Sequence, residues 1–306
     1  MTAKELQEKL TNVGYISDLA IAYAALSTVN EQIPLLIEGE PGCGKTYLAQ
    51  SIAAALGIEL IRVQIYEGIT PDKILYDYDY QRQLLSIEAI RSTLDGALQG
   101  KTPEEALAAA GKIDFYGSQF LIKRPVLRAI TSEKPVVLLF DEIDKCSPEL
   151  EYSLLEVLSD FALSIPQYGT VECNPQNRPL IFLTSNNYRE LSEALKRRCS
   201  YLYIQRKTEE EICAILKISL GEEKLNAFAE IASKCLFQMQ SLHLRQTPSI
   251  SEGITWASYL CSHLDADPAW TAGMLAKTAE DGPVITQVLK DQADSLNAAR
   301  KVLSQE

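Results

Sequence analysis

Residues 39–46 read Gly39-Glu40-Pro41-Gly42-Cys43-Gly44-Lys45-Thr46 and match the pattern G-x-x-x-x-G-K-[ST] of a phosphate-binding loop. The apolar run IPLLIE precedes the loop and a helical pattern follows it, so the loop is expected to join a strand to a helix. Glycines allow backbone N–H groups to surround a phosphate, and the helix N-terminus adds a positive dipole. The segment from Gly39 to Tyr47 is therefore predicted to bind nucleotide; a plain glycine-rich turn is the alternative.

Three side chains of this segment carry specific predictions. Lys45 is expected to reach the β- and γ-phosphates, and the hydroxyl of Thr46 is expected to bind Mg²⁺. Cys43 is interpreted as a small side chain that the loop merely tolerates. The alternative is a thiol whose pKa is lowered by Lys45 and the helix start and which is therefore open to oxidation.

Short apolar runs alternate with helical patterns through the first two-thirds of the chain, which is typical of a parallel α/β sheet. The predicted strands are Ile33–Glu38, Ile58–Tyr66, Val136–Phe140, Leu180–Ser185 and Tyr201–Ile204. Helices are predicted at Tyr47–Leu56 and Glu149–Phe161, and only helical patterns follow Gln205. We therefore expect an αβα nucleotide-binding domain over residues 1–205 and an all-helical domain over residues 206–306.

The sequence VVLLFDEID at residues 136–144 places two adjacent acids at the end of an apolar strand. Buried carboxylates are costly unless they meet a cation. We expect Asp141 to lie in the second coordination shell of Mg²⁺ and Glu142 to be the base that activates the attacking water. The alternative is a strand that simply runs into a polar loop. A guanine-reading NKxD segment is missing from residues 186–189, which favours ATP over GTP.

Two further groups are candidates for contacts near the γ-phosphate. The strand Leu180–Ser185 brings Asn186 to the same edge of the sheet, where its amide is expected to hold the lytic water. The stretch LSEALKRRC at residues 191–199 ends in a basic triplet, so Arg197 or Arg198 is expected to reach the γ-phosphate of a neighbouring subunit. A purely stabilising role at a helix C-terminus is the alternative.

The composition argues against several classes of protein. The 306 residues carry 29 basic and 41 acidic side chains, a net charge of −12, which argues against a general nucleic-acid surface. No apolar run approaches the roughly 20 residues of a membrane helix, and the N-terminus MTAKELQEKL lacks the apolar core of a secretory signal. The seven scattered cysteines form no CxxC pair, so a reducing compartment, the cytoplasm, is expected.

In this order and with this spacing, the phosphate loop, the acidic pair, Asn186 and the basic triplet resemble those of AAA+ ATPases. The finer resemblance is to the MoxR branch, and within it to the CoxD-like group linked to maturation of the molybdenum–copper site of carbon monoxide dehydrogenase. The segments that carry the finer resemblance are Gln64–Gly68, Tyr80–Leu85, Phe120–Leu127, Leu154–Gly169 and Ser192–Cys199. The resemblance covers most of residues 14–265.

The resemblance implies several roles and partners. Asn186 looks like sensor 1, Arg198 like the arginine finger with Arg197 beside it, and Ala162–Cys173 like a hairpin that this branch inserts before sensor 1. A sensor 2 arginine is expected at the start of a lid helix, where Arg245 is the candidate although it precedes the helix. The resemblance also implies a hexameric ring, a partner with a von Willebrand factor A domain, and a metal-containing client enzyme.

Two other functional classes stay open at this point. One is a small-molecule phosphotransferase that works as a monomer with an acceptor pocket under the helical domain. The other is a nucleotide-gated scaffold that binds ATP and barely hydrolyses it, against which the pair Asp141–Glu142 and Asn186 argue. A DNA-directed motor is less favoured than either, because of the acidic net charge.

Two segments outside the motifs also carry expectations. Tyr76, Tyr78 and Tyr80 alternate with aspartates, which predicts an extended segment whose aromatic face either binds a partner or packs on the following helix. Thr102–Ala110 is predicted to be a surface helix, because Thr102 and Glu105 form a capping-box pattern.

Overall fold

The computed structural model describes residues 1–97, 114 and 116–304. Its strands are β1 Leu35–Gly39, β2 Glu59–Gln64, β3 Asp77–Tyr78, β4 Leu121–Ile122, β5 Val136–Asp141, β6 Ala162–Ile165, β7 Gly169–Glu172, β8 Leu180–Ser185 and β9 Ser200–Ile204. Five of them form a parallel sheet in the order β2-β5-β8-β1-β9. The five predicted strands are confirmed, with ends that move by one or two residues.

Helices cover both faces of this sheet and make up the C-terminal region. They are α1 Ala3–Asn12, α2 Leu19–Glu31, α3 Lys45–Leu56, α4 Pro71–Ile74, α5 Tyr80–Ala97, α6 Pro125–Ile130, α7 Pro148–Asp160, α8 Glu193–Lys196, α9 Glu209–Leu220, α10 Asn226–Ser241, α11 Ile250–Ser262 and α12 Asp281–Arg300. Both predicted N-terminal helices are confirmed: α3 ends before Gly57 in the left-handed region, and α7 is capped by Ser147.

The central strand β5 shows how the layers are built. Val137 and Leu139 face a core that α1, α2 and α3 complete, whereas Leu138 and Phe140 face a second core completed by α6, α7 and the β6–β7 pair. Every residue of β5 and β8 is buried, as their apolar runs predicted. The predicted fold class, an αβα sandwich around a parallel sheet followed by a helical region, is therefore confirmed.

The helical region from α9 to α12 has a core of its own. The predicted capping box at Thr208 and Glu211 starts α9, and a second box at Ser249 starts α11. Trp256 is fully buried in this core, and its indole N–H donates to the Thr271 hydroxyl over 2.8 Å. The division at residue 205 lies between the end of β9 and the start of α9, and it stays a prediction.

The segment after β2 differs from its sequence-based interpretation. Only Asp77–Tyr78 is extended, and Tyr80 already starts α5, so the alternating residues do not form one continuous aromatic face. Tyr78 is buried, packs edge-on against Tyr76 and Tyr116, and donates its hydroxyl to the carbonyl oxygen of Pro166 over 2.9 Å. Tyr78 is therefore a packing residue, but these three partners lie outside the following helix. Packing on that helix stays a prediction, and Tyr80 is exposed.

Two further predictions concern a hairpin before β8 and a surface helix. The antiparallel pair β6–β7 forms the hairpin expected within Ala162–Cys173, and its tip uses positive φ angles at Gln167 and Gly169. The helix predicted at Thr102–Ala110 lies outside the described residues. Within the part of the chain that the structure describes, no helix is both long and apolar enough to cross a membrane.

Candidate functional site

The phosphate loop joins β1 to α3 through a backbone that requires glycine. Gly42 and Gly44 have φ angles of 82° and 97°, in the left-handed region that side chains disfavour. A Cβ atom at Gly39 would lie 2.4 Å from the carbonyl oxygen of Ile204, so the close approach to β9 also excludes a side chain. Because α3 begins at Lys45, the first N–H groups of the helix are available to an anion held by the loop.

Lys45 is folded into this loop. Its side chain is buried, and Nζ donates to the carbonyl oxygens of Gly39 and Glu40, each over 2.8 Å. Burial lowers the pKa of Lys45, while the nearby negative charges of Asp141 and Glu142 act in the opposite direction. The lysine is thus held at the centre of the loop by weak carbonyl acceptors, which a charged phosphate oxygen can replace.

Asp141 ends β5 with its carboxylate inside the site and 2% of the residue exposed. Its Oδ1 accepts hydrogen bonds from the hydroxyls of Thr46 (2.7 Å) and Thr184 (2.6 Å). Its Oδ2 accepts from Arg62, from Nε over 3.0 Å and from Nη2 over 2.5 Å. A hydroxyl and a carboxylate beside a phosphate loop are hard oxygen donors, and this set fits Mg²⁺, which takes a few protein oxygens together with phosphate and water.

Glu142 and Asn186 are brought together at the same edge. Glu142 has a left-handed backbone with φ of 59°, and its N–H donates to the Thr184 hydroxyl over 2.9 Å. Its Oε1 accepts from the Asn186 amide over 3.2 Å, and its Oε2 accepts from Lys145 over 2.7 Å and from Gln64 over 2.9 Å. The carboxylate predicted as the base therefore lies next to the amide predicted to hold water.

The loop that carries Asn186 is fixed by a third acid. Asp144 is buried, and its Oδ2 accepts from the backbone N–H groups of Asn186 (3.0 Å) and Tyr188 (2.8 Å). Bonds from backbone N–H groups to a buried carboxylate are strong and fix the turn after β8. Asp144 is therefore a positioning residue for Asn186.

A cavity of about 690 Å³ opens beside these groups, a volume typical of a small-molecule site. Its polar wall contains the loop residues 41–47 with Asp141, Glu142 and Asn186. The N-terminal segment and the helical region supply further lining, which combines the apolar side chains of Tyr15, Ile16, Ile215, Ile250 and Ile254 with Lys207 and three serines. The cavity thus combines charged groups with apolar side chains, and it lies between the sheet and the helical region.

Cys43 is buried inside the loop. The residue is 5% exposed, and burial raises the pKa of its thiol, which Lys45 lowers only in part. Sequence proximity to Lys45 does not reveal this burial. The environment agrees with the preferred interpretation, a small side chain that fits the loop, and gives no support to the alternative of a reactive thiol.

The three predicted arginines lie away from the cavity walls. Arg198 donates to the Ser159 hydroxyl and to the carbonyl oxygen of Ala194, whereas the Arg197 guanidinium is 80% exposed and lies 3.8 Å from Glu193. Arg245 pairs with Glu280, and its backbone N–H donates to Asp281 over 2.9 Å. The structure therefore does not bring Arg245 to the phosphate loop: its guanidinium faces an acid at the start of α12.

Several residues of the site were not expected, among them Arg62, Gln64, Asp144, Lys145, Thr184 and Lys207. The register of β2 on β5 places Gln64 beside Asp141 and Arg62 two residues earlier on the same strand, opposite Leu139, so it could have identified Gln64 directly and Arg62 as its neighbour on the same face. Thr184 follows from the same rule applied to β8, and Lys145 from its spacing of three residues after Glu142. Lys207 is buried against Glu211 at the cavity wall, and no sequence signal marks it.

The fold and the site define a class. A parallel sheet with a phosphate loop after its first strand, and a pair of acids at the end of β5, is the architecture of a P-loop nucleoside-triphosphate-binding protein. The profile of the AAA domain (dynein-related subfamily) matches residues 34–199, which is more than half of the chain. The chain therefore belongs to this family of AAA+ ATPases.

Curated relatives match about two thirds of the chain. Lon protease of Aster yellows witches'-broom phytoplasma (strain AYWB) is 26% identical over 220 residues, which is 67% of this chain and 23% of the relative. Lon protease 1 of Bacillus subtilis (strain 168) is 26% identical over 220 residues, 69% of this chain and 24% of the relative. The chain spans about a quarter of the length of these relatives. A solved structure of the Thermotoga maritima RuvB Holliday junction branch migration motor aligns with 95% of this chain and 71% of its own, with 15% identity and a TM-score of 0.44.

Proposed function

We propose that this chain is a Mg²⁺-dependent ATPase whose sites lie at the boundaries between subunits of a ring. One observation carries the proposal: Thr46, Asp141, Glu142 and Asn186 converge beside the phosphate loop, in a cavity whose wall also contains apolar side chains. In this arrangement the loop holds the triphosphate and the apolar side chains accommodate the adenine base.

Each group then has a defined task. Lys45 exchanges its carbonyl acceptors for the β- and γ-phosphate oxygens. Thr46 and Asp141 would hold Mg²⁺, which when bound neutralises phosphate charge. Glu142 accepts the proton of the attacking water, and the Asn186 amide orients that water because it already lies 3.2 Å from Glu142 Oε1. Arg198 of the next subunit stabilises the transferring phosphoryl group, with Arg197 beside it.

The contacts between loop and helical region support coupling of hydrolysis to movement. Arg206 pairs with Glu40 of the loop and donates to the Gln240 carbonyl oxygen of α10 over 2.9 Å. A Cβ atom at Gly42 would lie 2.8 Å from Ser249 Cβ, so the start of α11 packs directly on the loop. Loss of the γ-phosphate would loosen both this junction and the boundary to the next subunit, which gives the ring two states.

We further propose that the enzyme belongs to the MoxR branch and its CoxD-like group. The proposal rests on the quoted sequence segments and on the hairpin β6–β7 that lies before β8. It assigns residues 1–205 to the nucleotide-binding domain and 206–306 to the lid, and it implies a hexamer that works in the cytoplasm with a von Willebrand factor A domain protein. The expected client is a metalloenzyme whose assembly or cofactor maturation requires remodelling.

Replacing Lys45 by alanine is expected to weaken ATP binding by about 10- to 100-fold, because a charged hydrogen bond is worth roughly 1.5–3 kcal/mol. The measurement is titration with a fluorescent ATP analogue, with phosphate release followed in parallel. Lys217→Ala is the matched control, because it removes a lysine from a surface ion pair with Glu230 on the lid. Equal binding by Lys45→Ala and the wild-type chain would refute the proposed site. Tight binding without phosphate release would instead indicate a nucleotide-gated scaffold.

A further inference from the structure

Arg62 is a cation of the site to which the reaction proposed above gives no task. Arg62 makes two hydrogen bonds to Oδ2 of Asp141, while Thr46 and Thr184 bond Oδ1. Asp141 is 2% exposed, and a carboxylate at that depth is strongly destabilising unless a cation compensates it. Arg62 therefore places a positive charge directly against the buried carboxylate of Asp141.

The position of Arg62 allows it to leave. It lies on β2, the edge strand of the sheet, and its side chain is 45% exposed whereas that of Asp141 is 3% exposed. Its Nη2 also donates to the Gln64 side-chain oxygen over 2.7 Å, so the guanidinium has a second acceptor at the rim of the cavity. Releasing Arg62 from Asp141 thus moves an exposed side chain and leaves the buried core unchanged.

We propose that Arg62 is an exchangeable counter-cation of Asp141, which a divalent metal ion displaces when it binds at Thr46 and Asp141. The inference rests on the proposed function, which identifies this pair as the metal site. The reason is electrostatic: a guanidinium and a divalent ion that face one carboxylate repel each other strongly at such depth. Arg62 consequently weakens metal binding. As long as no metal is bound, Arg62 compensates the negative charge of Asp141.

The test compares Arg62→Met with Arg128→Met, and it needs no turnover. Arg128, on α6, is the matched control. Its guanidinium pairs over 2.7 Å with Glu59, an exposed residue at the start of the same strand β2. Mn²⁺ serves as the probe: its binding is followed by the loss of the free-ion electron paramagnetic resonance signal, with and without a non-hydrolysable ATP analogue. Thermal unfolding of each variant is measured with and without Mg²⁺.

Arg62→Met is expected to bind Mn²⁺ about tenfold more tightly than the wild-type chain, since the competing charge is gone. Without metal its Tm should fall, because Asp141 loses its compensation, and Mg²⁺ should raise its Tm more than it raises that of the wild-type chain. Arg62→Lys, which keeps a charge, should lie between the two, and Arg128→Met should match the wild type in its response to metal.

Equal or weaker Mn²⁺ binding by Arg62→Met in both the presence and absence of the analogue would overturn the inference, as would no Mn²⁺ binding by either chain. A lower Tm that Mg²⁺ fails to recover would also count against it, because it would assign Arg62 a purely structural role. Failure of the proposed function would be detected by a separate measurement: Lys45→Ala would then bind ATP as tightly as the wild-type chain does.

Discussion

Glu142→Gln is expected to bind ATP as tightly as the wild-type chain and to hydrolyse it about 10²- to 10⁴-fold more slowly, the range that general base catalysis contributes. The change removes the proton acceptor and keeps the shape of the side chain. Glu142 is about one-third exposed, so a neutral amide is tolerated without a buried-charge penalty. One amide oxygen can still accept from Lys145 or Asn186, which preserves the fold around the site.

The measurement pairs a steady-state phosphate-release assay with equilibrium binding of a fluorescent ATP analogue. Glu190→Gln is the control, because Glu190 is an exposed carboxylate on the segment after Asn186 that pairs only over 3.4 Å with Lys196. Release at the wild-type rate by Glu142→Gln would remove Glu142 from the role of base. The same variant, held in its ATP-bound state, is the bait of choice for capture of a client.

The fold was predictable because its signals are local. Continuous apolar runs revealed β5 and β8, and the glycines with Lys45 and Thr46 placed the phosphate loop between β1 and α3. Such patterns depend on residues a few positions apart, and the carboxyl ends of parallel strands then meet by geometry. Asp141, Glu142 and Asn186 could be assigned to one edge of the sheet for this reason.

The remaining features depend on packing between distant segments. The ion pair of Arg62 with Asp141 joins residues 79 positions apart, and it follows only once the register of β2 on β5 is known. Burial raises the pKa of the Cys43 thiol, and the residues next to Cys43 in the sequence do not indicate that burial. Arg245 pairs with Glu280 because of the course of the loop that carries it, and a sequence motif does not predict that course.

Arg198→Ala is expected to lower ATP hydrolysis by about 10³- to 10⁵-fold while ATP binding persists, the effect of losing an arginine finger. The contacts of Arg198 hold its side chain in place through Nε and Nη1, with Ser159 and Ala194 as acceptors. Because a guanidinium carries five N–H donors, others stay available for a phosphate of the next subunit. Both arginines are exposed, but these hydrogen bonds pre-organise Arg198, whereas Arg197 has a long ion pair of 3.8 Å with Glu193; Arg197→Ala should therefore lose about tenfold or less.

Mixing two inactive variants tests whether this arginine acts across a boundary. Arg198→Ala keeps the phosphate loop and Glu142 intact, whereas Glu142→Gln keeps Arg198 intact. A boundary is therefore complete when an Arg198→Ala subunit supplies the nucleotide site and a Glu142→Gln subunit supplies the arginine. With equal amounts of the two variants and random head-to-tail assembly, about a quarter of all boundaries are complete. Hydrolysis should therefore rise to about a quarter of the wild-type rate. Arg198→Ala mixed with the double variant Glu142→Gln, Arg198→Ala is the control, because no complete boundary can form. Recovery that is absent at every ratio, or full turnover by a single subunit under saturating ATP and Mg²⁺, would contradict catalysis between subunits.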